Sequence, residues 1–315
     1  MYDQLKYRIP GRPVKEDEGV FQEINEFQGT KGFIFSDFLQ EKIIQFHSGG
    51  AVSKDRRVNK PLAISKEEYL AQGAQFLNEL RENELGKAVF SRVKAVAIDI
   101  ESKVKLFDAL CKAYPNAFVY EMQSQEFGHW IGATPERLIE GKKGDFKTVS
   151  LASTKKTEDN TPWSEKEIEE QGLVTSFIKQ ELEDLRIPFT LEERTELVAG
   201  PVKHLQTIFS SIEGADAYQL IRRLHPTPAV SGLPRQDAIN LIRKIEKHNR
   251  SLYTGFIGEI GDDVNVYVNL RCLQIIGDQA YLYLGGGYTK DSNVKAEWEE
   301  TENKAKTLIK VMENL

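Results

Sequence analysis

The sequence has only two cysteines, Cys111 and Cys272, and they lie far apart along the 315 residues. A disulfide framework is therefore not expected, and a reducing, cytoplasmic location is predicted. No apolar run approaches the roughly 18 residues of a membrane helix, and the first residues lack the apolar core of a secretory signal. The net charge of -6 argues against nucleic acid or an anionic membrane as the main partner.

Internal repeats, low-complexity tracts and long linkers are also absent from the sequence. Hydrophobic residues make up 40% of the chain, which is enough to build a large core. Length alone is typical of about two domains. Because no boundary stands out, we predict one domain over residues 1–315.

The pattern of elements predicts an α+β fold. Ser65 and Glu68 form a capping box at the start of a helix with an apolar stripe of Leu70, Ala74, Leu77 and Leu80. Strand-like stretches joined by short turns come in runs, with the helices grouped between them, which favours two antiparallel sheets surrounded by helices. The predicted strands cover residues 87–98, 117–123, 128–141, 145–154, 253–260, 264–276 and 280–287, and the later helices 104–114, 161–185, 215–224, 235–248 and 294–315.

Two helices carry acidic residues beside their apolar stripes. Glu170 lies one turn before Val174 on the buried side of its helix, and a buried carboxylate needs a partner. In the last helix, Glu297, Glu300 and Lys304 follow one edge. These residues fit either solvated helix surfaces with a Glu300–Lys304 pair or a carboxylate site for a hard cation such as Mg²⁺.

Three further features have both a structural and a functional interpretation. Arg271 ends the polar side of a predicted strand, where it is solvated or grips a carboxylate. The glycine triplet that begins at Gly285 is typical of a turn or bulge, or of bare backbone close to an anion. Lys87 and Glu136 are ordinary strand-end residues, or a base and an acid on opposite walls of a pocket.

Five stretches together resemble the chorismate-utilising enzymes, which include isochorismate, salicylate and anthranilate synthases. They are "HPTPAVSGLP", "LYTGFIGEI", "LRC", "GGG" and "EWEETENKA". The similarity runs from about Ser65 to the C-terminus and covers residues 1–60 weakly. Within the family, "HPTPAVSG" is most similar to isochorismate synthases. The resemblance implies two antiparallel sheets with outer helices and an active site in a deep cleft.

The resemblance also implies roles for individual residues. Lys87 matches the lysine that activates water, and Glu136 matches the glutamate that protonates the departing hydroxyl. Glu170 and Glu300 match magnesium ligands, with Glu297 nearby and acting through water. The positions implied around the substrate are Ser153, Thr154, His225, Ala229, Tyr253, Arg271, Gly285 and Lys304.

The implied reaction is the Mg²⁺-dependent conversion of chorismate to isochorismate, with water attacking C2 and the C4 hydroxyl leaving. The chain departs from the family in "SLAST", where Ser153 replaces a usual glycine, and in "KEIEEQ", where Glu170 lacks its usual histidine neighbours. Two alternatives remain open, a salicylate synthase and a non-catalytic chorismate-binding homologue. We expect no glutaminase subunit, a monomer, and menaquinone biosynthesis as the default pathway, with siderophore or salicylate production also open.

Overall fold

The computed structural model describes residues 2–50, 58–142, 144–199 and 202–315, which form seventeen strands and six helices. The strands are β1 Asp3–Arg8, β2 Lys15–Ile24, β3 Gly32–Ser36, β4 Ile43–Ser48, β5 Lys87–Ala97, β6 Phe118–Ser124, β7 Gly128–Thr134, β8 Arg137–Lys142, β9 Asp145–Lys156, β10 Thr190–Leu191, β11 Thr195–Ala199, β12 Val202–Glu213, β13 Gly232–Leu233, β14 Phe256–Ile260, β15 Asp263–Val268, β16 Cys272–Ile276 and β17 Gln279–Tyr288. The helices are α1 Lys66–Glu82, α2 Ile100–Ala113, α3 Glu165–Asp184, α4 Ala217–Leu224, α5 Arg235–Ile245 and α6 Val294–Glu313.

Antiparallel pairing connects all of these strands. One arm of the sheet runs β12–β9–β8–β15–β14–β3, and the other runs β6–β7–β16–β17–β5–β13. Strands β4, β2 and β1 join the two arms edge to edge. The antiparallel α+β class is therefore confirmed, and the two predicted sheets are the arms of one continuous sheet. The connecting strands come from residues 1–60, where the family resemblance is weakest.

Aromatic side chains fill the core between the two arms. Phe118 stacks on Tyr267 at a centroid distance of 4.6 Å, so strands from opposite arms are in direct contact. A second core lies under α2 and α6, and a third lies under the remaining helices. Burial of this much apolar surface is the main stabilising contribution to the fold.

The predicted start of α1 is confirmed, but its predicted stripe is partly wrong. Ser65 accepts a hydrogen bond from the amide of Glu68, and the Glu68 side chain accepts from Ser65 in return. Ala74 is exposed, whereas Tyr69 and Phe76 are buried. The helix turns its aromatic residues inward because they bury the most apolar area.

Two long predicted strands are broken at residues that matter for the cleft. The predicted strand 264–276 divides into β15 and β16, and Arg271 lies between them with a φ of 48°. The predicted strand 128–141 divides into β7 and β8, which places Glu136 at the corner. Pro234 immediately precedes α5 as its N-cap residue. The alternation of apolar and polar residues that predicts a strand does not reveal these corners. After each corner the next strand begins within a few residues, so the two strands look like one.

No described helix combines the length and the apolar composition that a membrane crossing requires. The single domain over residues 1–315 includes stretches outside the described residues and stays a prediction.

Candidate active site

The glycine triplet 285–287 lies within β17, directly opposite the start of β5. It is therefore neither the turn nor the bulge that a glycine triplet alone suggests. A Cβ atom at Gly286 would lie 3.0 Å from Glu297 Oε2, and one at Gly287 would lie 2.9 Å from Lys87 Cε. Glycine is needed here because the side chains of Lys87 and Glu297 occupy the space that a Cβ would fill.

Lys87 is buried at the first position of β5 and forms an ion pair with α3. Its Nζ donates a hydrogen bond to Glu170 Oε1 at 2.6 Å, and 5% of the lysine side chain is exposed. The sequence predicted both residues for one site, and the structure brings them into contact. Glu170 lies in the second turn of a helix whose first residues are capped by Ser164 and Glu167.

Glu136 is a buried carboxyl group at the corner between β7 and β8. Burial raises the pKa of Glu136 to about 7, although the charges of Lys87 and Lys304 and a hydrogen bond from Thr227 oppose the rise. Thr227 Oγ1 lies 3.4 Å from Glu136 Oε1. A carboxyl group with this pKa is still substantially protonated near neutral pH and is suited to act as a general acid.

The two glutamates of α6 have different surroundings. Ser292 donates a hydrogen bond of 2.7 Å to Glu297 Oε1, whereas the buried Oε2 has no partner among the described residues. Burial, together with the nearby charge of Glu300, raises the pKa of Glu297 to about 7. The Lys304 ammonium, 2.6 Å from Glu300 Oε1, lowers the pKa of Glu300, and the charges of Lys87 and Arg271 act in the same direction.

Two cationic side chains, Lys304 and Arg271, lie near Glu300. Lys304 Nζ donates a hydrogen bond of 2.8 Å to the Gly285 carbonyl as well as pairing with Glu300. The guanidinium of Arg271 makes no hydrogen bond to any described residue, so its donors are free for an anion. Tyr253 Oη lies 2.8 Å from the position that a Cβ of Gly285 would take.

Ser153 occupies a bulge in β9, where the register with β12 shifts by one residue. Its φ of 58° is favourable for glycine, the residue that the family usually has there. The hydroxyl donates to the Glu167 carbonyl at 2.6 Å and lies 3.4 Å from Glu170 Oε2. The side chain of Ser153 therefore supports the helix that carries Glu170.

His204 on β12 is a member of this site that the sequence analysis missed. Its Nδ1 lies 3.1 Å from the Ser153 carbonyl and 3.0 Å from Thr154 Oγ1, which assigns the ring proton to Nδ1. The buried Nε2 has no partner among the described residues and is left as an acceptor. Burial, with the Arg271 and Lys304 charges, lowers the pKa of His204 to about 4, so the ring is neutral. The alternating pattern of β12 offered no signal that distinguishes this histidine.

His225, at the start of the proline-rich stretch, makes its hydrogen bond and its ring contact with other residues, and its proposed place beside the substrate stays a prediction. Its Nε2 lies 3.1 Å from the Phe38 carbonyl, and its ring packs edge-on against Phe256. Thr227 is the residue of "HPTPAVSG" that contacts Glu136, and the sequence analysis missed it. Ala229 is half-buried in the same stretch.

The donor set fits a hard cation held by few protein ligands. Among the described residues, no three acidic, histidine or cysteine side chains form a ready-made metal cluster. The unpartnered, buried Oε2 of Glu297 is a free oxygen ligand, and Glu300 lies one turn further along α6. Magnesium is typically bound by one or two carboxylates, with water and substrate oxygens completing its shell.

The model of the family described as "Chorismate binding enzyme" matches residues 35–313. The chain belongs to the chorismate-binding enzymes. Among curated proteins, it is 29% identical over 245 residues to isochorismate synthase EntC of Escherichia coli K12. That alignment covers 72% of this chain but 62% of EntC, so the chain spans less than two thirds of this relative.

Two solved structures show how fully this chain follows the fold of the chorismate-binding enzymes. The putative 2,3-dihydroxybenzoate-specific isochorismate synthase DhbC of Bacillus anthracis aligns with a TM-score of 0.82 at 21% identity, covering 98% of this chain and 95% of DhbC. MenF, the menaquinone-specific isochorismate synthase of E. coli, aligns with a TM-score of 0.81 at 20% identity, covering 99% and 89%. These alignments confirm the fold class.

Proposed function

We propose that this protein is an isochorismate synthase that converts chorismate to isochorismate. The observation that carries the proposal is the buried amine of Lys87 in the same cleft as a buried carboxyl, Glu136, whose pKa is raised to about 7. The proposed reaction needs one group that accepts a proton and another that donates a proton, at two carbons of the same ring. The identities of 27–29% to several curated isochorismate synthases support the same conclusion.

Chorismate carries two carboxylates, and the cleft offers them cationic partners. Arg271 has free guanidinium donors, and Lys304 lies beside Gly285. Tyr253, Ser153 and Thr154 are the proposed neutral contacts around the ring and side chain of the substrate. Fixing the dianion in one orientation converts the attack of water into an effectively unimolecular step.

The proton transfers balance without a redox cofactor. As the proposed base, Lys87 takes a proton from the water whose oxygen bonds to C2, and Glu136 gives a proton to the C4 hydroxyl, which leaves as water while the ring double bonds shift. The hydrogen bond from Lys87 Nζ to Glu170 Oε1 orients this amine in the cleft. His204 Nε2 is available to accept a hydrogen bond from a substrate hydroxyl.

Magnesium is part of the proposal. Glu170, Glu300 and Glu297 are the residues that would hold it, and the ion would supply positive charge that neutralises the substrate carboxylates. The cytoplasmic location, the monomeric state, the absence of a glutaminase subunit and the assignment to menaquinone biosynthesis remain proposals that accompany this function.

The direct test is incubation with chorismate and Mg²⁺, followed by chromatography of the products. Isochorismate alone supports the proposal, whereas salicylate with pyruvate identifies a salicylate synthase. Lys87→Ala is expected to lower turnover by roughly 10²–10⁴-fold. The matched control is Lys94→Ala on the same strand, which removes a surface pair with Glu302 and leaves the cleft intact. Chorismate binding without turnover would identify a non-catalytic homologue.

A further inference from the structure

A buried arginine, Arg250, lies behind the cleft in the segment between α5 and β14. Its Nε and Nη2 donate hydrogen bonds of 2.8 and 2.6 Å to the two carboxylate oxygens of Glu246. Burial alone would raise the pKa of Glu246, but Arg250 holds that pKa below its ordinary value. Arg250 is 5% exposed, and its guanidinium lies 4.3 Å from the centre of the Phe38 ring.

The other donors of Arg250 reach backbone carbonyls of two separate segments. Nη2 donates to the Val89 carbonyl at 2.8 Å, two residues after Lys87 on β5. Nη1 donates to the Val230 carbonyl at 2.9 Å, directly after Ala229 and three residues after Thr227. One rigid guanidinium thus connects the strand of the proposed base with the stretch that contacts the proposed acid.

Glu246 extends this network to Ser91 on β5, the strand that pairs with the glycine triplet of β17. Its Oε1 accepts hydrogen bonds from the Ser91 amide at 2.7 Å and the Ser91 hydroxyl at 2.8 Å. Ser91 is the cross-strand partner of Gly285, and its hydroxyl lies 2.9 Å from His248 Nε2. Arg250 also contacts the residue that follows Tyr253. Its Nη1 lies 3.4 Å from the hydroxyl of Thr254.

We propose that Arg250, with Glu246 and Ser91, forms a positioning network that holds Lys87, Thr227 and Tyr253 in their places around the substrate. The inference rests on the proposed function and deepens it. Arg250 donates no hydrogen bond to Lys87, Glu136 or Glu170, so it acts through the backbone and is not a catalytic residue. Only a guanidinium has enough donors in a fixed plane to reach these acceptors together, so lysine is not an equivalent replacement.

The test compares Arg250→Lys with a matched control, Arg235→Lys. Arg235 also joins a carboxylate, Glu181, to a backbone carbonyl, that of Arg223, and none of these three residues is proposed to contact the substrate or the metal. Both variants are expected to lower the melting temperature. Arg250→Lys is expected to lower kcat by at least roughly 10-fold per folded molecule, with a smaller change in KM, since displaced reacting groups slow the chemical step. Arg235→Lys is expected to keep kcat within about twofold of wild type.

Ser91→Ala is a milder variant that keeps the arginine and removes one hydroxyl of the network. We expect a smaller fall in kcat and faster amide hydrogen exchange in residues 225–233 and 250–255, with a stronger effect in Arg250→Lys. A wild-type kcat in both Arg250→Lys and Ser91→Ala would overturn the proposal. If the wild-type protein does not convert chorismate, the proposed function fails, and hydrogen exchange alone tests the positioning network. Unchanged exchange in both segments of the variants would overturn the network, and faster exchange would support it.

Discussion

Glu136→Gln is expected to stabilise the protein at alkaline pH while it removes the proposed general acid. Burial raises the pKa of Glu136 from its ordinary 4.5 to about 7. Between these values the unfolded chain gives up a proton that the folded protein keeps. The contribution of this group to stability is therefore fully present below about pH 4.5 and is lost as the pH rises through about 7. The complete loss is on the order of 3 kcal/mol.

Glutamine does not ionise, so the Glu136→Gln variant avoids that loss. Urea unfolding would be measured for the variant and for wild type at about pH 5 and about pH 8. The free energy of unfolding of the variant minus that of wild type should be roughly 2–3 kcal/mol larger at pH 8 than at pH 5. Glu140→Gln, at a half-buried glutamate paired with Arg137 on β8, is the matched control for the same chemical change outside the proposed acid. An equal difference between Glu136→Gln and wild type at both pH values would refute the reasoning. The wild-type rate should also fall as Glu136 loses its proton near pH 7.

Four further substitutions test other parts of the structure. Gly287→Ala should lower turnover by at least roughly 10-fold without unfolding the protein, because the new methyl group displaces Lys87, and unchanged kinetics would contradict this. Gly172→Ala, in α3 with open space around it, should leave the rate unchanged and raise the free energy of unfolding by about 0.5–1 kcal/mol, as denaturation would show. Glu297→Gln should weaken Mg²⁺ binding in calorimetry by roughly 10-fold or more, and equal affinity would exclude Glu297 as a ligand. Ser65→Ala should cost about 1 kcal/mol in thermal unfolding through loss of the capping box, and an unchanged melting temperature would contradict that cap.

Local sequence patterns determined much of the architecture. The capping box of Ser65 and Glu68 and the runs of strand-forming residues in β5 and β17 identify their elements, because each depends on neighbours within a few residues along the chain. The family motifs likewise brought Lys87 and Glu170 into one predicted site, and the structure places their side chains in contact.

Only the tertiary structure decided how the site is assembled. The joining of both sheet arms by β1, β2 and β4, the bulge at Ser153 and the corner at Glu136 depend on strands paired across long sequence separations. The raised pKa of Glu136, the unpartnered Nε2 of His204 and the hydrogen bond between His225 and the Phe38 carbonyl depend on which atoms surround each group. Burial and charge act through space, so a side chain's chemistry follows from its folded neighbours and not from its own stretch of sequence.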